Sequence, residues 1–235
     1  MKKSHKILFF LLVLFSTTSC ATQNYPDDPR FKPWRIGAAI SYEFSASVLE
    51  AYGVNESDDW TSMMLPYGNL TSSSRLNLSN YREYTYQEYD GNKLVLNSVL
   101  NFTPSQVGLG TKTLPDELYV YWWVKNSETQ YATVVDVTPQ IKEAVMKPYP
   151  HTWLEGENCY QTDFIFGLLP DGRAKLWLKG CRIYTYVGEY QPTKVMPPAD
   201  PSKIKDKPIP WDKVNQVWYD KEKYKMQNID DVVKL

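Results

Sequence analysis

Between Phe164 and Lys179, two runs rich in β-branched, aromatic and aliphatic residues flank Pro170, Asp171 and Gly172, with Cys159 before them and Cys181 after. Pro presets φ for a turn, and Gly accepts positive φ without a Cβ clash, so the stretch predicts a β-hairpin. The two cysteines lie nearly symmetrically about the turn. In strict two-residue-turn register, position 159 would face 184, so a bridge between them ties the hairpin's base or a bulge rather than two opposed strand positions. Closing that loop is worth about 3 kcal/mol on the chain-entropy model.

Whether the thiols pair depends on compartment, which the first residues address. Lys2, Lys3 and Lys6 precede an apolar run from Ile7 to Phe15 and then the small residues Ser16 to Ser19. This is the pattern of an export signal over residues 1–19, too short to span a bilayer as a stable helix. Cys20, the third cysteine, stands where a bacterial lipoprotein carries its lipid. The alternative is cleavage after Ala21, which would remove Cys20 with the leader. Lipidation would anchor the chain firmly, because stable anchoring takes more than one acyl chain. With Ala at position 21, the expected location is the outer membrane, facing the periplasm. There two remaining thiols usually pair, which predicts a Cys159–Cys181 disulfide.

Removing Lys2, Lys3 and Lys6 with the leader takes 26 basic residues against 27 acidic to 23 against 27, a net charge of −4. That is no footprint for nucleic acid. A metal pair or reactive thiol is a poor reading of the cysteines, since there is no CxxC and the mature part holds one histidine, His151. A Ser-His-Asp hydrolase would have to use that histidine, without a GxSxG elbow. Asp90 and Asp171 read as turn residues rather than paired catalytic carboxylates. The expectation is therefore a chain without enzymatic activity or cofactor.

Taken in order, residues 20–33 form a polar tether with Pro26, Pro29 and Pro33. Trp34–Ile40 and Glu43–Tyr52 read as strands, the second alternating Phe44, Ala46 and Val48 with Ser45, Ser47 and Leu49. From Gly53 to Asn80 the composition turns to Ser, Asn, Asp and Gly around Met63, Met64 and Leu65. A loop this long is either functional or hides an element, and Met63, Met64 and Tyr67 are candidate partner-binding residues within it. Tyr84–Tyr89 and Lys93–Leu100 flank Asp90-Gly91 and predict a second hairpin. The loop from Asn101 to Pro115 carries Gly108 and Gly110 but no phosphate-binding pattern.

Glu117–Lys125 is the strongest strand signal, with Leu118, Val120, Trp122 and Val124 on one face and Tyr119, Tyr121 and Trp123 on the other. Both faces are expected to be covered, and Gln130–Val137 to return as its partner. An exposed row of Tyr119, Tyr121 and Trp123 would instead suit a glycan or peptidoglycan. Thr138 as N-cap, Pro139 at the first helical position and Ile141, Ala144 and Val145 predict a short helix ending before Pro148. Ile183–Tyr190 gives a further strand. The Pro-rich segment from Pro192 to Pro210 reads as extended, and Trp211–Met226 as a helix docked through Val217 and Trp218. The expected fold is mainly β, an antiparallel sandwich-like domain over 34–191 with one short helix, followed by a Pro-rich segment and C-terminal helical tail over 192–235.

Several of these tracts resemble one family. Trp34 to Ala39, Tyr119 to Trp123, Asp136-Val137 with Ile141 to Pro148, and Gly167 to Leu178 with Cys159 and Cys181 around it are similar to the bacterial lipoproteins catalogued as domain of unknown function 2931. The resemblance covers roughly Trp34 to Tyr190. It implies a membrane-anchored cell-envelope protein. Members of such families are sometimes encoded beside phospholipase effectors of type VI secretion, which implies a periplasmic immunity protein that binds a secreted effector. These tracts are structural rather than catalytic.

Overall fold

The computed structural model describes residues 25–44, 46–62, 78–84, 87–96, 113–124, 127–204 and 208–233. Its strands are β1 Arg35–Ala39, β2 Ala46–Asn55, β3 Trp60–Thr61, β4 Leu94–Val95, β5 Glu117–Val124, β6 Thr129–Asp136, β7 Tyr149–Pro150, β8 Asn158–Cys159, β9 Asp163–Leu168, β10 Ala174–Gly180, β11 Ile183–Tyr190, β12 Lys194–Met196, β13 Val217–Trp218 and β14 Lys225–Asn228. Two five-stranded sheets carry the fold. One has the order β1-β9-β10-β11-β14 and the other β12-β6-β5-β2-β3.

The sheets pack face to face through alternate residues: Ile36, Ala38, Phe164, Phe166, Leu176 and Leu178 from the first meet Ala46, Val48, Leu118, Val120, Trp122 and Val135 from the second. Trp34, Trp122 and Trp177 are almost wholly buried. At about 200 Å² of surface each, every one of them contributes about 5 kcal/mol of transfer free energy before entropy is counted.

The opposite face of the first sheet is also covered. Ala39, Ile165, Trp177 and Tyr184 form a second cluster with Leu94, Leu96 and Val214, backed by Ile209, Val217 and Tyr224. This explains why every residue of β9 is buried. The C-terminal segment is thus a third layer and a source of edge strands. β14 extends the first sheet beside β11, and β12 pairs with β6 in the second.

The turn at Pro170 to Gly172 joins β9 and β10 as expected. Leu169 N donates to Arg173 O and Gly172 N to Leu169 O, with Gly172 at φ +92°. The β5–β6 hairpin and the helix Pro139–Met146 also match, and Thr138 Oγ1 caps that helix by accepting from Ile141 N at 3.3 Å.

Four expectations are corrected. Tyr84 closes the helix Leu78–Tyr84 instead of opening a strand, and residues 87–89 are turn rather than strand. The turn signal at Asp90-Gly91 is real, with Asp90 Oδ1 accepting from Asn92 N and Lys93 N. Its far arm, however, pairs in parallel with β13 instead of folding back. The tail Trp211–Met226 is not one helix but a single turn, Trp211–Val214, followed by β13 and β14, with a last turn Ile229–Val232. Free backbone groups along β4 and β11 outcompete local helix propensity there. The tether narrows too, because Phe31 is fully buried and packs edge-on against Tyr160 at 5.0 Å, while Tyr25 Oη accepts from Leu114 N. Finally, the two faces of β5 are buried unequally. Tyr119, Tyr121 and Trp123 stand half-buried on the outside of the second sheet.

Candidate functional site

β2 and β5 pair antiparallel, setting Tyr52 opposite Tyr119 and Glu50 opposite Tyr121. A bulge between Val48 and Glu50 reverses the inside–outside alternation. Ala51 therefore turns into the core, and Tyr52 is delivered to the outer face beside Tyr119. Simple alternation from Phe44, Ala46 and Val48 would have sent Tyr52 inward, which is why Tyr52 escapes notice in the sequence.

The Tyr52 and Tyr119 rings stack at 4.8 Å and 6°, and Tyr121 lies 6.4 Å from Tyr52 at 16°. Tyr119 Oη donates to Glu117 Oε2 at 2.5 Å. That carboxylate, helped by burial, pushes the Tyr119 phenol up to about 12. Burial, and then a hydrogen bond with Tyr121, pushes Tyr52 up to about 12 as well. Both stay protonated and neutral at any physiological pH. Beside them lies an open recess of about 360 Å³ lined by Glu50, Tyr52, Val54, Thr61, Ser62 and Tyr119.

The recess sits at a definite end of the sandwich. Trp34, at the head of β1, stacks on Trp60 of β3 at 6.0 Å, donates from Nε1 to Thr113 O and lies against Gly53. The chain thus enters the domain at the same end. The β2–β3 turn there carries exposed Glu56, Asp58 and Asp59. Asp116 orders this turn, its Oδ2 accepting from Glu56 N at 2.9 Å and its Oδ1 from Lys142 Nζ at 2.5 Å. The aromatic shelf is therefore rimmed by acid.

Cys159 and Cys181 form a disulfide with Cα atoms 5.7 Å apart. Cys159 ends β8, and Cys181 with Arg182 makes the turn between β10 and β11, both at left-handed φ. The bridge thus ties the base of the β9–β10 hairpin to the β7–β8 loop, in keeping with the expectation from register. His151 has a structural role: its Nδ1 accepts from Trp153 N and Leu154 N, each at 3.2 Å. Asp171 accepts from Arg173 N and pairs with the Arg173 guanidinium, as a turn residue does.

Cys20, Met63, Met64 and Tyr67 lie outside the described residues. Ser62, immediately before Met63, is tied to Gly53 by two hydrogen bonds and lines the recess. Among the described residues no group of three or more His, Cys, Asp or Glu could hold a metal ion, and no helix is long and apolar enough to cross a membrane.

No curated protein and no solved structure matches this chain. A family model described as "Protein of unknown function (DUF2931)" matches residues 20–228, from Cys20 through all of β1 to β14. The chain belongs to that family.

Proposed function

We propose that this chain is a lipoprotein anchored through Cys20 to the outer membrane, facing the periplasm, and that it binds a protein partner on the outer face of its second sheet. The proposed partner is a secreted phospholipase effector of type VI secretion, which would make the chain an immunity protein. The observation that carries the reading is the shelf of Tyr52, Tyr119 and Tyr121, half-buried at the end of the sandwich where the N-terminal segment enters. Such rigid aromatic anchors dominate protein interfaces. The acidic rim of Glu56, Asp58 and Asp59 complements a basic partner and steers its approach. An enzyme that works on phospholipid must come to the bilayer, and an anchored chain holds the shelf close to it.

Binding of glycan or peptidoglycan through the same outer face is the competing reading. The ring geometry reduces the area open to a sugar, because a sugar stacks on an open ring face and Tyr52 and Tyr119 each cover one face of the other. The experiment is protection in a competition between siblings. A deletion strain should be sensitive to siblings that secrete the effector. The wild-type gene should restore resistance, and a Tyr52→Ala/Tyr119→Ala variant present at equal abundance should not. Unchanged sensitivity of the deletion strain, or full protection by the variant, would sink the proposal. Co-sedimentation of the protein with insoluble peptidoglycan would favour the glycan reading instead.

A further inference from the structure

The loop between β7 and β8 presents the most exposed tryptophan in the described part of the chain. Trp153 is 71% accessible and Leu154 47%, side by side at the tip. Such side chains are exposed by default on floppy loops, but this one is braced from four directions. His151 Nδ1 caps the Trp153 and Leu154 amides. Glu157 N donates to Leu154 O and His151 N to Glu157 O, with Gly156 at φ +76° allowing the reversal. The Arg182 guanidinium lies over the Trp153 ring at 4.4 Å. The Cys159–Cys181 bridge fixes the base of the loop. The apolar pair is thus held outward on an ordered loop.

The loop lies beside the path of the incoming chain. Glu157 forms a salt bridge with Arg30, and Phe31 packs on Tyr160, so the incoming segment runs against the base of this loop. Cys20 is five residues before Tyr25, a span of at most about 18 Å even when fully extended. We infer that Trp153 and Leu154 are a second membrane contact, seated at the headgroup level of the bilayer that holds the Cys20 lipid. This rests on the proposed anchor. Trp is suited to that depth because its ring is apolar and its N–H polar, and an apolar neighbour such as Leu reaches into the acyl boundary. Exposed Arg182 and Glu155 balance each other at the tip. The match is therefore to a zwitterionic bilayer and does not depend on anionic lipid. A tip contact beside the anchor would turn a freely swivelling domain into an oriented one.

The test uses the full chain, purified from envelopes and reconstituted into vesicles of phosphatidylethanolamine and phosphatidylcholine with or without bromine on the upper acyl chain. Bromine quenches only tryptophans at that depth. The expected result is a quenched component in the wild type that is lost in Trp153→Phe, with unaltered thermal unfolding because the side chain is exposed. Equal quenching of the two proteins overturns the inference. The mass of the same sample reports separately on Cys20. A lipidated chain whose Trp153 is not quenched refutes the loop contact alone, while a chain without lipid refutes the anchor and the loop contact with it.

Discussion

Breaking the Cys159–Cys181 bridge tests how much of the fold's stability lies in restraint of the unfolded chain. The closed ring has a sequence separation of 22 and contains the whole β9–β10 hairpin. The chain-entropy relation gives a loss of about 11 cal/mol/K for a ring of that size, or about 3 kcal/mol at 25 °C. Both cysteines are half-exposed, so a Cys159→Ser/Cys181→Ser variant can solvate its hydroxyls and adds no desolvation penalty of note. For a domain of this length, each kcal/mol moves Tm by about 2–4 °C, which predicts a fall of about 6–12 °C. Thermal unfolding followed by far-UV circular dichroism measures it, with reduced wild-type protein as the matched control. Either single Ser variant should lose as much as the double, because one missing thiol already opens the ring. A fall below about 2 °C would refute the reasoning, as would a reduced wild type that stays at the oxidised value while the double variant drops.

Two further perturbations follow from the geometry. A Cβ on Gly180 would stand 2.2 Å from Tyr160 O and 2.6 Å from Gln161 Cα, both backbone, whereas Gly188 has nothing nearer than 3.8 Å. Gly180→Ala should cost about 1–3 kcal/mol by urea unfolding and Gly188→Ala should be close to neutral; equal effects would contradict the packing. Burial alone would raise the Asp116 carboxyl, but the Lys142 ammonium and the Ser57 and Glu56 amides outweigh it and hold it below the usual carboxylate value. A carboxylate lowered on folding adds stability above its unfolded pKa and loses it as pH falls through the folded one. The deficit of Asp116→Asn against wild type should therefore be greatest at neutral pH and shrink as pH falls below the ordinary carboxylate value of about 4. A urea-midpoint gap that persists unchanged at the acid end would refute the pairing.

What the sequence reveals here is local, and what it hides is partnership. The Pro170 to Gly172 turn, the Thr138 cap and the β5–β6 hairpin each depend on residues within a few positions of one another, and each is legible. β1 pairs in parallel with β9 across more than a hundred residues, through Arg35 opposite Asp163 and a bidentate contact between their side chains. No periodicity encodes such a partner. The same holds for Val217 and Trp218: their spacing suits a helix face, yet β4 takes them as a strand. At the candidate site, Tyr119, Tyr121 and Trp123 are legible as one face of a strand. Their exposure was not, because it depends on which sheet the C-terminal layer covers. Tyr52 was hidden by the single bulge residue that changes its side.

The unequal covering of the two sheets bears directly on how an anchored chain would work. Among the described residues, the C-terminal layer buries the outer face of the sheet that carries β1, β9 and β10, while the outer face of the sheet with β2 and β5 stays half-buried. The chain enters at the end where Trp34 meets Trp60 and Gly53, which is also the end of the tyrosine recess. An anchor at Cys20 and a loop contact at Trp153 would both act on that end. Two attachments fix an orientation where one fixes only a distance, since a single tether leaves the domain free to rotate about it. On the proposed reading, the shelf then faces along the bilayer rather than away from it. A partner that reaches it must already be working at the membrane surface, where the anchor on one protein and the bilayer substrate of the other confine both to a thin layer and raise their effective concentration without any new contact between them.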